Sequence, residues 1–516
     1  MLLPLTTTLL TLIAAAGLLL RRVPSPVTGV LTVCAIVLAA LLRITDPTLW
    51  QIVPATIGAV VCASVWIADA LQKKDTDAAS WKRVARPIGA GVAGAGGLLS
   101  LTLLWLFSPV SLPAPTGPRG VGVVEYGLVD SARVEEFGSV AGAPRRLMVR
   151  ITYPARKQGG VGEYGSPQFF RLFSRAFAEV LAAPPFNLKL PPFLYSHSRI
   201  RTHSAWAAQP DTTATPFPVL LFSHGISLGT VNQVTVTAQE LASHGYAVVS
   251  IAHPYESSVT IFDDGTVATV DIPNTSALFS QVVAVSDLTT QLKQSSDPRV
   301  QDSLFAAISQ SMPLWHESLD RWIADSRFVI DRLAGIVWGG ILEGMLDTAR
   351  IGALGQSFGG ATAGRLCLDD PRVKAGVNWD CHQFGFTLDD TLRTPFLFMY
   401  ADDNIGVNDP VARRTAGPVY SMAIDGARHF DFSDFALQGP FLRVLGLTGP
   451  IDARSCLATI SLYTRLFFDT HLSLEEPPRS MPDPAHAGVR FVGGPIVAHM
   501  DASGFHEPRT SGAMSP

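Results

Sequence analysis

Cysteine is scarce, five in 516 residues, and none stands in a C-x-x-C pair or at metal-ligand spacing, so no zinc site is expected and neither a metal nor another cofactor is called for. Cys34 and Cys62 fall in apolar runs. That leaves Cys367, Cys381 and Cys456, for which one disulfide of unspecified pairing and buried free thiols are both open. No basic stripe with interleaved aromatics is present, which argues against a nucleic-acid partner, and a formal net charge of −4 says little else about partners. Positive charge is also missing ahead of the first apolar run, where a cleavable signal peptide needs it; Arg21 and Arg22 come after the run. The first run is therefore expected to stay in the protein as a helix.

What is present is apolar residue in excess, 47% of the chain, concentrated at the N-terminus. Apolar runs cover residues 2–20, 27–42, 49–71 and 87–110. Crossing the hydrocarbon takes about 20 residues, so the first, third and fourth are long enough and the second is short. About four transmembrane helices are expected in a membrane region over residues 1–110. Gly89, Gly91, Gly94, Gly96 and Gly97 in the fourth run suit close helix packing. Arg21, Arg22, Lys73, Lys74, Lys82, Arg83 and Arg86 fall on one side of the membrane and Arg43 on the other. The positive-inside tendency puts the first group in the cytoplasm, so with four spans everything after residue 110 faces outward. Dropping the second span reverses that orientation.

A Pro-rich stretch follows, read as a semi-rigid linker over residues 111–119. Beyond it, over residues 120–471, short strand-like runs at 147–153, 219–223, 247–252, 351–354, 375–379, 396–400 and 420–424 alternate with helical patterns at 238–244, 322–333 and 362–368. Such alternation predicts an α/β domain with a mostly parallel sheet flanked by helices. Ligands in such sheets bind beyond the carboxyl ends of the strands, where His224, Ser357 and Asp380 fall. Phe169, Phe170, Leu172, Phe173, Phe177, Val180 and Leu181 form an apolar insert that either packs on the sheet or acts as a lid or lipid-contacting surface. Residues 263–318 show no clear strand, and residues 472–516, rich in Pro, Gly and Ala, read as a poorly ordered tail.

Gly355-Gln356-Ser357-Phe358-Gly359-Gly360 carries the chemistry. A buried strand before it and a small-residue helix after it fit a nucleophile elbow of the α/β-hydrolase fold, in which the serine sits on a strained strand-to-helix turn. Gly225-Ile226-Ser227-Leu228-Gly229 also matches G-x-S-x-G, but it follows a strand ending in His224-Gly225 and leads into a polar stretch, so a loop suits it better. Acyl transfer further needs a base, a group that orients the base, and donors for the oxyanion. In this fold acid and histidine follow the serine in that order, which leaves His382, His429, His471, His486, His499 and His506 as bases. His429 is preferred because it lies just past a strand, in Gly426-Ala427-Arg428-His429-Phe430-Asp431-Phe432. The acid is Asp380 after the next strand, or else Asp402 or Asp403 after the one beyond; adjacent carboxylates in a turn are more often solvated, which favours Asp380. The backbone N–H groups of Phe358 and Ile226 are the candidate oxyanion donors.

Leu221-Phe222-Ser223-His224-Gly225, Leu241-Ala242-Ser243-His244-Gly245-Tyr246-Ala247-Val248, the Ser357 elbow with its Gly-Gly, and Arg428-His429-Phe430-Asp431-Phe432-Ser433-Asp434-Phe435 together resemble the platelet-activating factor acetylhydrolases of the plasma and type II kind. The resemblance spans roughly residues 120–471. It implies calcium-independent hydrolysis of phospholipid esters with short or oxidised acyl chains at a lipid surface, and it adds support for Asp380. The chain departs from that pattern in its membrane spans, in Gln356 where His is common, and in His253-Pro254-Tyr255. The leading expectation is a membrane-anchored serine esterase acting on a lipid or small acyl ester. An inactive hydrolase domain used for binding, and an acyltransferase with the same triad, are the alternatives.

Overall fold

The computed structural model describes residues 2–20, 25–45, 49–71, 78–107, 110–156, 162–192, 200–214, 216–336, 340–472 and 489–493. The chain divides into two compact units, one of them helical and drawn largely from Met1–Ser111, the other containing the sheet.

The N-terminal part of the first unit holds four helices among the described residues: α1 (Leu2–Leu20), α2 (Ser25–Thr45), α3 (Val53–Leu71) and α4 (Ala78–Leu106). Three carry segments long and apolar enough to cross a membrane, Pro26–Thr45, Trp50–Ala68 and Arg83–Leu106, while α1 holds the shorter apolar stretch Leu3–Gly17. The second run, expected to be the short one, is therefore among the long ones. Its helix runs on through Arg43, whose charge suits a helix C-terminus, and ends with the Thr45 hydroxyl donating to the Leu41 carbonyl at 2.9 Å. Gly89, Gly96 and Gly97 do pack closely: a Cβ on them would press on Val65, the Pro54 carbonyl and Leu12. Gly91 and Gly94 face open space. Val30, Val37, Ile57, Ile67, Leu98 and Trp105 point outward and exposed, the surface expected of helices that meet lipid rather than water.

The sheet unit opens with β1 (Gly120–Val134), β2 (Pro144–Ala155), α5 (Pro167–Ala182), β3 (Ser204–Trp206), β4 (Phe217–Ser223), α6 (Thr235–Ser243) and β5 (Ala247–Ala252). A small hairpin, β6 (Val259–Ile261) and β7 (Val267–Thr269), leads into α7 (Ile272–Ala284), α8 (Ser286–Gln294), α9 (Pro298–Gln310) and α10 (Pro313–Ile336). Then come β8 (Leu346–Gln356), α11 (Phe358–Asp369), β9 (Val373–Trp379), β10 (Phe396–Tyr400), α12 (Asp409–Ala412) and β11 (Val419–Ile424). After these come α13 (Pro440–Val444), which groups with the helical unit, α14 (Ala453–Leu472) and β12 (Val489–Gly493). Ten strands form one sheet in the order β12-β11-β10-β9-β8-β4-β5-β2-β1-β3. From β5 to β11 all neighbours are parallel; β2 and β12 run antiparallel to β5 and β11. This is the mostly parallel sheet with flanking helices that the strand–helix alternation predicts.

Period-two burial explains why the central strands are apolar throughout. In β4, Phe217, Val219 and Leu221 enter one core with Val249, Ala353 and Phe358, while Leu220 and Phe222 enter the opposite core with Leu354, Val377 and Trp379. Burying each such side chain contributes roughly 1.5–3 kcal/mol.

Three expectations need correction. The segment from residue 263 on, read as showing no clear strand, holds the short strand β7 ahead of four helices, whose apolar residues Leu278, Phe305, Trp315 and Trp322 cover one sheet face. Val489–Gly493, inside the expected tail, pairs with β11; the rest of that tail lies outside the described residues. The Pro-rich linker is docked on α6, the Thr116 N–H donating to Glu240 Oε2 at 2.7 Å and the Gly117 N–H to Ser243 Oγ at 3.0 Å. Cys367, Cys381 and Cys456 are free, and burial pushes all three thiols up.

Candidate active site

β8 ends at Gln356 and α11 begins at Phe358, so Ser357 alone makes the turn. Its φ is +55° with ψ −131°, a conformation that costs a non-glycine residue about 1–3 kcal/mol. Two glycines make that turn fit. A Cβ on Gly355 would collide with the Gly359 backbone, and one on Gly359 with the Ser223 carbonyl at the end of β4. One backbone bond holds the turn to the sheet, the Ser357 N–H donating to the Trp379 carbonyl at 2.9 Å, and another ties it to the helix start, the Gly360 N–H donating to the Ser357 carbonyl at 2.7 Å. Ser357 remains half-buried, at the carboxyl end of the central strand.

Asp380 follows β9, also at positive φ (+59°), and is 1% exposed. Its N–H donates to the Met399 carbonyl at 2.8 Å. Oδ1 accepts from the Ala401 N–H at 2.7 Å; Oδ2 accepts from Asn404 Nδ2 at 2.9 Å and lies 2.7 Å from His429 Nδ1. His429 is in a short turn past β11, its side chain 38% exposed. Asp431 closes that turn, accepting from the Arg428 N–H at 2.8 Å and the Gly449 N–H at 2.6 Å. The structure thus brings Asp380 and His429 together. Gln356, next to Ser357, brings His429 to the elbow: its Nε2 lies 3.2 Å from the His429 carbonyl and 3.3 Å from His429 Nε2.

The other candidates are elsewhere. Asp402 accepts from the Gly426 N–H at 2.7 Å and pairs with Arg490 at 3.0 Å, and Asp403 is exposed. His382 packs between Phe305 and Phe384, and His471 against Phe467; burial holds both well down, to about 4. His486, His499 and His506 lie outside the described residues. Ser227 of the second G-x-S-x-G is fully buried, its hydroxyl 2.9 Å from that of Thr275, and no helix starts at it.

Phe358 is the first residue of α11, where backbone N–H groups have no partner within the helix. Its ring is core, packed edge-on to Trp315 and Trp322. Across from it, the Gly225 carbonyl is held by the Gly229 N–H at 3.0 Å and by His224 Nδ1 at 2.9 Å. The peptide is trans, so the Ile226 N–H points to the opposite side from that carbonyl.

Sequence reasoning missed what lies beneath. Burial holds His224 down to about 3, so it is neutral, and its Nε2 accepts from the His253 N–H at 3.1 Å. His253 stacks on Trp322 with centroids 3.9 Å apart; its Nδ1 is 2.9 Å from Asp325 and its Nε2 3.2 Å from Ser223 Oγ. Burial also lowers the His253 pKa. Burial alone would raise Asp325, but Arg145 at 2.7 Å and His253 hold it well below the carboxylate range. Ser223, His253 and Asp325 form a second Ser-His-Asp arrangement, each member 4% exposed or less. Only the pairing of distant segments reveals it.

The apolar insert lies beside His429 as α5. α5 buries Phe169, Phe170, Phe173 and Phe177; Phe173 stacks on Phe435, which contacts Phe430 next to His429. A cavity of about 420 Å³, with Glu125, Arg150, Phe169, Trp206, Asn232 and Phe262 in its walls, lies on the α5 side; neither Ser357 nor His429 lines it. Among the described residues no cluster of His, Cys, Asp and Glu could hold a metal ion.

Comparison with known proteins adds a family context. The family described as platelet-activating factor acetylhydrolase, isoform II, matches residues 107–480. A platelet-activating factor acetylhydrolase from Cavia porcellus is 24% identical over 391 residues, covering 72% of this chain and 81% of that protein. A probable 1-alkyl-2-acetylglycerophosphocholine esterase from Arthroderma benhamiae is 26% identical over 393 residues, covering 70% and 88%. Among solved structures, a ferulic acid esterase from Streptomyces cinnamoneus superposes with a TM-score of 0.54 at 24% identity, over 75% of this chain and all of the other, a likeness of fold.

Proposed function

The chain belongs to the platelet-activating factor acetylhydrolase, isoform II, family, and from that premise we propose a membrane-anchored serine esterase whose nucleophile is Ser357. His429 Nε2 takes the Ser357 proton as the hydroxyl attacks the ester carbonyl. Asp380 holds the Nδ1–H and stabilises the imidazolium that forms. The oxyanion is met by the N–H groups of Phe358 and Ile226, each such donor worth about 2.7–4 kcal/mol in the transition state. Collapse of the tetrahedral intermediate passes the proton from His429 to the leaving alcohol. Water, activated in turn by His429, then frees the acyl group from Ser357.

The observation that carries this reading is the 2.7 Å Asp380–His429 pair held against an elbow whose serine has φ +55°. The aromatic wall of Phe173, Phe430 and Phe435 beside His429 favours a lipid or other acyl ester; the relatives' names favour a phospholipid with an acetyl chain, and the family resemblance extends that to short or oxidised acyl chains. The distribution of basic residues favours an outward-facing hydrolase domain.

A fluorophosphonate probe on the detergent-solubilised protein should label the wild type and not Ser357→Ala. Absence of labelling in both, or equal labelling, would sink the proposal and leave a binding role. Competing alcohols or amines in the product analysis detect acyl transfer, and a C-terminal reporter active on one side of the membrane reads orientation.

A further inference from the structure

Between the turn that bears Ile226 and His429 runs a chain of two side-chain amides. The Gly225 N–H lies 2.9 Å from Gln233 Oε1, Gln233 Nε2 lies 2.7 Å from Gln356 Oε1, and Gln356 Nε2 faces the His429 carbonyl at 3.2 Å and His429 Nε2 at 3.3 Å. An amide reads either way round until something fixes it, and here both ends are fixed. A backbone N–H can only donate, so the Gln233 atom facing Gly225 is oxygen and the other end donates to Gln356. At the far side a backbone carbonyl can only accept, so the Gln356 atom facing His429 is nitrogen. The two ends agree on one direction of donation. Gln233 is 5% exposed and Gln356 3%, so bulk water does not stand in for either.

That direction has a consequence for the imidazole. With an N–H donor in front of it, His429 Nε2 must hold its lone pair, and the ring proton then sits on Nδ1, against Asp380 Oδ2 at 2.7 Å. We infer that Gln233 and Gln356 are positioning residues that fix the tautomer and orientation of His429 and tie it to the Gly225-Ile226 turn. The inference rests on the proposed roles of Ser357, His429 and Asp380. The Gln356 amide is shared between a ring nitrogen and a carbonyl. When the serine hydroxyl donates to Nε2, the amide keeps the carbonyl and the ring stays in place. Sequence hid this relay because 123 residues separate Gln233 from Gln356.

The test uses the full-length protein in detergent, with kcat and KM on a p-nitrophenyl ester. Gln356→His keeps one donor and one acceptor, Gln356→Met has neither, and Gln356→Glu has acceptors only, which draw the proton to Nε2. The expected order of kcat is wild type and His, then Met, then Glu, with Glu at least about 100-fold below wild type and KM within about threefold. Gln233→Glu works from a distance: it keeps the Gly225 bond but cannot donate to Gln356, and so turns the Gln356 oxygen toward His429. Its loss of kcat should exceed that of Gln233→Met, and the excess should disappear in a Gln356→Met background, a coupling that independent packing defects do not produce. Equal losses for Gln356→Met and Gln356→Glu, or an undiminished Gln233→Glu loss in the Gln356→Met background, would overturn the inference. If Gln356→Glu does not fold, the Gln233 series decides alone. An inactive, unlabelled wild type refutes the catalytic reading and this inference with it; an active wild type with a flat series refutes the relay only.

Discussion

Replacing Asp380 by Asn changes the acid without changing its shape, and the structure says how its neighbours respond. The carboxylate accepts from the Ala401 N–H at 2.7 Å, from Asn404 Nδ2 at 2.9 Å and from His429 Nδ1 at 2.7 Å. An amide has one oxygen to offer. Ala401 is backbone and cannot adapt, so it keeps that oxygen, and the new NH2 faces Asn404 and His429. Asn404 can turn its own oxygen inward. His429 can bare Nδ1 only by moving its proton to Nε2, which leaves no lone pair to take the serine proton. The fold should lose only about 1–3 kcal/mol, the cost of one imperfectly met buried group. Turnover should fall on the order of 10⁴, as removal of the orienting charge does in such triads. At 1.36 kcal/mol per tenfold that is about 5.5 kcal/mol of barrier, well beyond the stability change. The assay is kcat and KM on a p-nitrophenyl ester beside a thermal melt, with Asp402→Asn as the paired variant. Asp402 serves Gly426 and Arg490 at the surface, so its loss should change kcat by less than about threefold. Asp380→Asn within tenfold of the wild type, or Asp402→Asn as damaging, would refute the reasoning.

Two further outcomes follow from buried groups. Ser223→Ala should lower the melting temperature by about 2–4 °C, because it strips the hydroxyl from His253 Nε2, yet leave fluorophosphonate labelling within a few-fold; abolished labelling would contradict the assignment of the two serines. Burial raises the Asp434 pKa from 3.8 to about 8, against the opposing hydrogen bonds from Val236 and Thr235. A carboxyl raised on folding stabilises fully below its unfolded value and loses that contribution as pH climbs toward the folded one. Asp434→Asn should therefore gain on the wild type in thermal melts between about pH 5 and pH 8, and parallel curves over that range would contradict the sign.

Strand positions were legible where a segment is buried on both faces. Residues 219–223, 247–252, 375–379 and 396–400 each read as apolar runs and lie within strands of the sheet. β1 was not legible, because Gly122, Glu125, Gly127 and Asp130 break its pattern. Gly122 is small because Tyr153 of the neighbouring strand lies over it, and Glu125 is half-buried against Arg150, so its apolar signal is diluted by cross-strand contacts. β12 has its partner nearly seventy positions earlier, and α7 to α10 divide their apolar residues between a buried stripe and an open face. At the site, residues at strand ends could be named from sequence: the elbow through its glycines, Asp380 and His429 through their places after strands. Asn404, Gln233 and Asp325 carry no local signal, and His224 and His253, though visible at strand ends, give no sign of their mutual contact, since each acts through a partner brought near only by the fold.

Side-chain hydrogen bonding alone would favour Ser223 over the proposed nucleophile Ser357. Ser223, His253 and Asp325 form an unbroken hydrogen-bonded series, 3.2 Å and 2.9 Å, tighter as a set than anything the structure gives Ser357. Two differences decide against it. The first is access: Ser223, His253 and Asp325 are at most 4% exposed, whereas Ser357 is half-buried and the His429 side chain is 38% exposed. The second is charge. Burial is the largest influence against a proton on His253, and the Arg145 guanidinium, 2.7 Å from Asp325, opposes part of the support that Asp325 gives it. Asp380 is bound by neutral donors, the Ala401 N–H and the Asn404 amide, which hold the carboxylate in place without cancelling its charge. An imidazolium forming at His429 therefore meets an anion not already neutralised by an arginine. That contrast is the electrostatic reason to place acyl transfer at Ser357 and to read Ser223, His253 and Asp325 as the support beneath the Gly225-Ile226 turn.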